Sequence, residues 1–351
     1  MKGRHDLKPD TATFNAVLQA IANGDGAASA EKFLNSMEDN GDPMTAPNTI
    51  SYLTVITAWA KSKDKNRVER VEKLLERMER ENSNVRPNTI VYSSALEVLA
   101  KIGEPYAVEC SLKILHEIEK RHVDDKSVRP NAYSYSSVME MIANSPKRGL
   151  IAIQAQQLLS RMIKMVDSIE FNNVSYTIVF NNAIKAIEKS SEKNKATKAK
   201  NILTLMKTLN ESGKLKAPPT VRTYNAIIRC CAFSSRSKDE KKAAFDIALE
   251  AFMELRKDKS IRMDSYTYPS IFKACQLLLG TDEKDYEAVK LLFYFCCEDG
   301  LLDGLIINNL KNYLPPKVLQ SIVGKTNFDS LPKEWSRNSP NRGGKKASRF
   351  K

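Results

Sequence analysis

One short phrase recurs seven times along this chain: an aromatic residue followed by apolar residues three, four and seven positions later. Offsets of three, four and seven place side chains on one face of an α-helix, and no strand has that period. A phrase repeated every 38 to 45 residues indicates a repeat protein, and we call the helix that carries it helix A. The aromatic residues are Phe14, Tyr52, Tyr92, Tyr135, Phe180, Tyr224 and Tyr268.

A second phrase follows each copy and predicts a second helix, which we call helix B. It begins with a residue that is usually small and continues with apolar residues three, four and seven positions later, as in residues 30–37. Pro followed by Asn or Asp precedes the first four helices A, as at Pro47 and Asn48. Proline lacks a backbone donor, whereas Asn or Asp accepts from the free N–H groups of a first helical turn, so these dipeptides predict helix starts.

One helical pair cannot bury its own apolar face, whereas stacked pairs bury one another. The sequence therefore predicts an all-α α-solenoid whose Met, Leu and aromatic residues form the core. We assign seven repeats to residues 10–47, 48–87, 88–130, 131–175, 176–219, 220–263 and 264–300. The flanking segments are predicted to be a leader (1–9), capping helices (301–324) and a basic, disordered tail (325–351).

Two local predictions follow from proline and from polar composition. Pro269 lies inside the expected first turn of the seventh helix A, so that helix is predicted to begin late. Between helices, the polar or proline-bearing tracts 190–198, 214–219 and 234–242 are expected to be loops.

The charge favours a polyanionic partner. The chain has 55 Lys and Arg against 42 Asp and Glu, a formal net charge of +13, and residues 325–351 hold eight of the basic residues with only two acids. Lys and Arg neutralise phosphates and release bound counterions, so such binding weakens as salt rises. The alternative is a charged surface that only keeps the protein soluble.

Sequence motifs for catalysis or metal binding are missing. None of the six cysteines forms Cys-x-x-Cys, the three histidines are not paired with other ligands, and no glycine-rich phosphate loop is present. We expect reduced cysteines, no metal, no cofactor and no enzymatic activity. No apolar run approaches 18 residues, so no membrane span is expected.

The repeats resemble the pentatricopeptide repeat family, over residues 10 to about 300. The resemblance is carried by Val-Arg-Thr-Tyr-Asn-Ala-Ile-Ile at 221–228, by Ala-Glu-Lys-Phe-Leu-Asn-Ser-Met at 30–37 and by Pro47-Asn48. The repeats are longer than the family's usual period, and a short tract at 331–338 is similar to one in algal members. The resemblance implies a right-handed solenoid that binds single-stranded RNA in a mitochondrion or chloroplast. The residues before the first repeat show no Ser-rich, acid-poor presequence, so either the chain is a fragment or its transit peptide has been removed or missed. The organelle is therefore implied by the resemblance alone.

In that family, one repeat addresses one base through the residue just after the helix A aromatic and the last residue of the repeat. We call these two residues a reading pair. Carried onto this chain, three pairs fit the family's pattern: Asn225/Asp264 for uracil, Ser93/Asn131 for adenine and Asn15/Asn48 for a pyrimidine. The other pairs are Asn181/Thr220, which we include among the RNA-binding residues, and Leu53/Asn88, Ser136/Tyr176 and Pro269/Asp303, which depart from the pattern.

The resemblance also implies stacking residues, which lie two positions before the aromatic and pack against the base. They are Ile50, Ile90, Tyr133, Ile178 and Arg222, with Ala12 and Tyr266 at the same position of the first and seventh repeats. Helix capping is the alternative role for the polar reading residues Asn48, Asn88, Asn131 and Asp264, and both roles can hold at once.

The sequence therefore predicts a sequence-selective binder of single-stranded RNA that acts in transcript stabilisation, processing or translation without chemistry of its own. The alternative is a scaffold for protein partners in an organellar ribonucleoprotein or respiratory assembly, since α-solenoids also bind proteins. A nuclease would need clustered carboxylates around metal ions, and the region after residue 300 is too short and too basic for such a domain.

Overall fold

The computed structural model describes residues 9–80, 85–102, 104–125, 128–165, 173–214, 218–234, 237–323 and 332–339. These residues form sixteen α-helices and one short 3-10 helix and contain no strand, which confirms the predicted all-α class. The α-helices are α1 (Thr11–Gly24), α2 (Ala27–Asp39), α3 (Thr49–Lys61), α4 (Arg67–Glu79), α5 (Thr89–Ile102), α6 (Pro105–Asp124), α7 (Ala132–Asn144), α8 (Ile151–Met165), α9 (Asn173–Lys189), α10 (Lys195–Glu211), α11 (Val221–Ala232), α12 (Lys238–Lys257), α13 (Thr267–Leu278), α14 (Glu283–Glu298), α15 (Gly304–Tyr313) and α16 (Pro316–Val323).

The helices alternate as the two phrases predict. The odd-numbered helices from α1 to α13 carry the seven helix A phrases, and the even-numbered helices from α2 to α14 carry the helix B phrases. The segment predicted to cap the repeats contains α15 and α16. The phrase residues are mostly core residues: Tyr92, Tyr135, Phe180 and Tyr268 are almost completely buried.

The chain divides into two compact units, Met1–Asn182 and Ala183–Lys351. In the first unit, the helices A α1, α3, α5 and α7 contact one another in sequence order, and each also contacts the helix B that follows it. In the second unit, α11, α13 and α15 contact in order, as do α10 with α12 and α14 with α16. Within each unit, neighbouring helical pairs therefore bury one another's apolar faces.

The predicted caps form, and they explain where the helices A begin. Asn48 and Asn131 are the N-cap residues of α3 and α7, each accepting hydrogen bonds from backbone N–H groups of the first turn. The seventh helix A, α13, begins at Thr267, three residues after Asp264, so the predicted late start is confirmed. An early proline is tolerated there because the first turn of a helix needs no donor from it.

Two tracts expected to be loops contain helix starts instead. Helix α12 begins at Lys238 because Ser237 and Glu240 form a capping box, in which the serine side chain accepts from the Glu240 N–H. Helix α10 begins at Lys195, where buried Ala196 extends the apolar face by one turn. The prediction for tracts 190–198 and 234–242 was therefore wrong at their C-terminal ends.

Part of the predicted basic tail is folded against the second unit. Residues Lys333–Ser336 form the 3-10 helix, and the Trp335 ring packs edge-on against Phe293 of α14 at a centroid distance of 5.8 Å. The Leu302 N–H donates to the Trp335 carbonyl at 2.9 Å, and the Asn338 N–H donates to the Gly300 carbonyl at 2.8 Å. The remainder of the tail and residues 1–8 of the predicted leader lie outside the described residues.

Candidate nucleic-acid interface

At three reading pairs, the residue just after the aromatic on one helix A meets a polar residue at the start of the next helix A: the N-cap residue Asn48 or Asn131, or Asp264 in the turn before α13. All three are the pairs that fit the family's pattern, and in each one the two side chains share a hydrogen bond. The partners are 33 to 39 residues apart in sequence, so the contact depends on the side-by-side packing of successive helices A. The hydrogen bonding differs among the pairs, and it decides which polar groups are left for a ligand.

The pair Asn225/Asp264 leaves an acceptor unpaired. An ionised Asp264 has only acceptor atoms, so the nitrogen of Asn225 must face it. Asn225 Nδ2 donates to Asp264 Oδ1 at 2.8 Å, and the Asn225 side chain is only 7% exposed. Asn225 Oδ1 is buried and has no partner among the described residues. A buried polar atom without a partner costs about 1–3 kcal/mol, so this pair favours a ligand that donates an N–H group.

The pair Ser93/Asn131 leaves a donor instead. Asn131 Oδ1 accepts from the Ser134 N–H at 2.8 Å and from the Ser134 hydroxyl at 3.0 Å. These bonds fix the amide so that Asn131 Nδ2 faces Ser93 and donates to its Oγ at 3.3 Å. An Asn nitrogen carries two hydrogens, and only one is used here. The second one can serve a ligand that accepts.

The pair Asn15/Asn48 resembles Ser93/Asn131 in the groups that it leaves. Asn48 Oδ1 accepts from the N–H groups of Ile50 and Ser51 at 3.0 and 3.2 Å, and from Asn15 Nδ2 at 3.2 Å. The Ser51 hydroxyl donates to Asn15 Oδ1, so the acceptor of that reading residue is already in use. The second N–H of Asn15 and the N–H groups of Asn48 Nδ2 are the donors that remain for a ligand.

The other pairs have no such contact within a unit. Tyr176 lies inside α9 and is 4% exposed, so it is a core residue and does not cap a helix, and Ser136 donates to the Tyr133 carbonyl at 3.0 Å. Asn88 and Asp303 accept from first-turn N–H groups at 3.0 and 2.8 Å, but their partners Leu53 and Pro269 have no side-chain hydrogen-bonding group.

Asn181 and Thr220 belong to different units. Asn181 Oδ1 is buried without a partner among the described residues, as Asn225 Oδ1 is. Thr220 is the N-cap residue of α11, and its N–H donates to the Thr223 hydroxyl at 3.1 Å.

The stacking residues form a series of exposed side chains at the first turns of the helices A. A large apolar side chain is normally buried, yet Ile50 is 60%, Ile90 64% and Tyr133 47% exposed. Ile178 and Tyr266 are also exposed, and the exposed Arg222 occupies the same position of α11. The residue that follows each stacking residue points into the core instead: Ser51, Val91 and Thr223 are completely buried. The recurring exposure is therefore a property of this helical position.

The charge on the same helical face differs between the two units. The position five residues after the aromatic is four residues, about one turn, from the reading residue and shares its face. It is acidic in α5 and α7, where it holds Glu97 and Glu140. It is basic in the last three repeats, where it holds Lys185, Arg229 and Lys273. In the second unit, this face also carries Arg222, for which no ion pair is found among the described residues. Phosphate groups would therefore be attracted chiefly to the second unit.

One set of site residues was missed in the sequence. A hydroxyl residue stands just before the aromatic in five repeats: Thr13, Ser51, Ser134, Thr223 and Thr267. In α3, α7 and α11 this hydroxyl completes a capping box with the N-cap residue, and Ser51 and Ser134 also contact the reading residues. The signal was a Ser or Thr three residues after each capping residue.

The cysteines do not form a reactive site. All six are free and buried, and burial raises the pKa of Cys110 and Cys231 to about 12. Such thiols stay protonated at neutral pH and behave as small apolar side chains. Within the described ranges, no group of three or more His, Cys, Asp or Glu side chains is placed to hold a metal ion.

Comparisons with known proteins add no relative. A scan against protein-family models gives no match, and no curated protein matches the chain. Among the helices described, none is both long enough and apolar enough to cross a membrane.

Proposed function

We propose that this chain is a sequence-selective single-stranded RNA-binding protein of the pentatricopeptide repeat type, a right-handed α-solenoid in which one repeat addresses one base. It acts in organelle RNA metabolism, in a mitochondrion or chloroplast, and carries out no chemistry of its own. The observation that supports this most is the hydrogen bond within each matching reading pair, at Asn15/Asn48, Ser93/Asn131 and Asn225/Asp264.

The groups that these pairs leave open are complementary to the Watson–Crick edges of the bases assigned to them. Uracil presents an N3–H donor, which suits the unpaired Asn225 Oδ1. Adenine and cytosine each present a ring nitrogen that accepts, which suits the remaining N–H of Asn131 or Asn15. Only single-stranded RNA exposes these edges, because a duplex uses them for pairing. The exposed stacking residues provide apolar and guanidinium surfaces beside these groups, as base stacking requires.

The test compares one uracil-bearing single strand with the same strand in a duplex, by fluorescence anisotropy at several salt concentrations. We expect the single strand to bind at least tenfold more tightly, and both affinities to fall as salt rises. Equal affinity for the two forms, or no binding to either, would refute the proposal.

The second candidate function is a scaffold for protein partners in an organellar ribonucleoprotein or respiratory assembly. Glu97 and Glu140 favour it, because these carboxylates share a helical face with the reading residues of α5 and α7 and repel phosphates. The buried Tyr176 also favours it, because this repeat then has no polar reading pair. Protein partners that copurify with the chain after nuclease treatment, in the absence of RNA binding, would support the scaffold and exclude the RNA reader.

A further inference from the structure

We propose that α15 is the helix A of an eighth, shortened repeat, and that Leu305 and Asn308 add one nucleotide contact beyond the seven repeats. This inference rests on the proposed function, because it extends the same row of stacking and reading residues. It assigns a binding role to a segment whose sequence predicts only a cap.

The start of α15 matches the start of the other helices A. Asp303 is its N-cap residue, and the side chain accepts from the Ile306 N–H at 2.8 Å. The helix begins one residue after this cap, as α3 begins one residue after Asn48. Asp303 is thus related to α15 as Asn48 is to α3, and helix α15 packs against α13 just as α13 packs against α11.

The side chains of α15 repeat the pattern of exposure. Counted from the cap, Ile307 takes the place of the aromatic, 39 residues after Tyr268, which is within the range of the other spacings. The positions just before it, three after it and seven after it hold Ile306, Leu310 and Leu314, and all three are buried. The pattern fails at two positions: Ile307 is only half-buried, and the position four after it holds the exposed Lys311 where the other helices A have an apolar residue. Both departures lie where α16 offers a helix of just eight residues to pack against.

Two residues of α15 then fall at the positions that would contact a base. Leu305 occupies the stacking position and is 47% exposed, the same fraction as Tyr133. Asn308 occupies the reading position and is exposed. Neither group is needed for the packing of α15, since the buried residues lie on its other face.

The hydrogen bonding of Asn308 determines what this position can recognise. Asn225 has its amide held in one orientation by Asp264, in the turn before the following helix A. For Asn308, no such cap follows among the described residues, and its amide has no hydrogen-bond partner there. A free amide can rotate to present either its donors or its acceptor to a base. We therefore expect the eighth position to increase affinity without selecting a base.

The test uses single-stranded oligouridines lengthened by one nucleotide at a time, with affinity measured by fluorescence anisotropy. The double variant Leu305→Ser/Asn308→Ala is compared with the wild-type protein and with Gln320→Ala, which removes an exposed amide from α16. For the wild-type protein and the control, affinity should rise until all positions are filled and then level off. For the double variant, the plateau should come one nucleotide earlier, with affinity about fivefold or more lower on the longer oligomers.

Replacing the nucleotide at this position by each of the other three bases should change wild-type affinity less than twofold. A double variant whose plateau matches the wild type would overturn the eighth position and leave the seven-repeat reader intact. A wild-type protein with no affinity for any oligouridine or mixed strand would instead refute the proposed function itself. Circular dichroism of the variants checks that α15 still folds, because substitutions at exposed positions should leave the helical signal unchanged.

Discussion

Asp264 contacts two helices at once, since it closes the turn that leads into α13 and also binds a side chain of α11. Its Oδ1 atom accepts from the Tyr266 N–H at 2.9 Å, at the end of the loop before α13. The same atom accepts from Asn225 Nδ2 of the previous helix A at 2.8 Å. The second bond fixes the orientation of the Asn225 amide. A residue in the turn before one helix A thereby determines which polar group of the previous helix A is left for a ligand.

Replacing Asn225 by Thr should change the base preference of this repeat. The substitution removes the amide that occupies Asp264 Oδ1, so the carboxylate becomes available to the two N–H donors of guanine's Watson–Crick edge. We expect the preference for uracil at this base to fall by about tenfold and the affinity for guanine to rise. Competition binding with four RNAs that differ at one base measures the change. Asn23→Thr, at an exposed site of α1, is the control, and an unaltered preference in Asn225→Thr would contradict this reading pair.

Gly300 is required by the docked segment that contains Trp335. Its φ angle is +68°, and a Cβ atom would lie 2.6 Å from Arg337 Cγ. Gly300→Ala should therefore cost about 1–2 kcal/mol in backbone strain and displace the 3-10 helix from α14.

Trp335 fluorescence reports this displacement. Trp59 is the second tryptophan, so the measurement uses a Trp59→Phe background. We expect a red shift in the emission of Gly300→Ala, because the Trp335 ring loses its packing against Phe293. Gly304→Ala, at a site with open space and no positive φ, should leave the emission unchanged.

At the scale of the helices, tyrosine residues of helices A join acidic and basic residues of neighbouring helices B. In the first unit, the Tyr135 hydroxyl donates to Glu119 of α6 at 2.7 Å, and Arg161 of α8 pairs with the same carboxylate at 2.7 Å. Burial and the adjacent carboxylate raise the pKa of the Tyr135 phenol, so it remains a donor. Tyr52, Glu38 and Arg77 form the same arrangement two interfaces earlier, between α2 and α4.

The order of the charges is reversed in the second unit. There the base lies on the earlier helix B and the acid follows it: Tyr268 donates to Asp299, which accepts two bonds from Arg256 of α12 at 3.0 and 3.1 Å. Tyr224 likewise joins Glu254 of α12 to Lys207 of α10. Helices B pack in the same way in both units, with either order of charges. If a helix B from the first unit replaced one in the second, however, like charges would lie against each other. We infer that these groups help fix which repeats are neighbours.

Reversing one charge pair tests this inference. Glu119→Arg and Arg161→Glu should each lower the free energy of unfolding by about 2 kcal/mol, because each places like charges together and removes a hydrogen bond. The double variant should recover most of the loss, since the second unit uses that order. Chemical denaturation followed by circular dichroism gives the values. Glu69→Arg, which breaks an exposed pair with Lys73, should change stability by less than about 0.5 kcal/mol, and a double variant as unstable as the singles would count against the inference.

The sequence was sufficient to predict the helices A and B, because burial of one helical face requires apolar residues at offsets of three, four and seven, and this spacing is visible in the sequence. The starts of α3 and α7 were predictable too, since their capping residues act locally. The starts of α10 and α12 were not, because Lys-rich first turns look like loops when the buried Ala196 and Ala244 are not recognised. The tyrosine-linked charge pairs depend on residues about 14 to 47 positions apart, and only the packing of neighbouring helices brings them together.

At the scale of the whole molecule, the excess of positive charge is not shared equally by the helices A of the two units. The helix A face of the first unit carries Glu97 and Glu140, and that of the second unit carries Lys185, Arg229 and Lys273. Lys101 pairs with Glu97 at 2.8 Å and Glu188 pairs with Arg229 at 2.7 Å, so both charges are partly offset. Arg222 has no such partner in the described part of the chain and is exposed at a stacking position. It is therefore the cation on this face most available to a phosphate or a base.

Arg222→Ala should weaken RNA binding and reduce its dependence on salt. If the guanidinium contacts a phosphate, the slope of log affinity against log salt should become about one unit less steep, with equal losses for all RNA sequences. If it stacks on a base, affinity should fall by about 1–3 kcal/mol with the slope unchanged. Anisotropy titrations over a range of salt concentrations distinguish the two contacts. Lys200→Ala is the matched control, because Lys200 lies on helix B and pairs with Glu250, so both affinity and slope should stay at wild-type values. Equal behaviour of the two variants would place the RNA away from the helix A face and leave the protein scaffold as the better account.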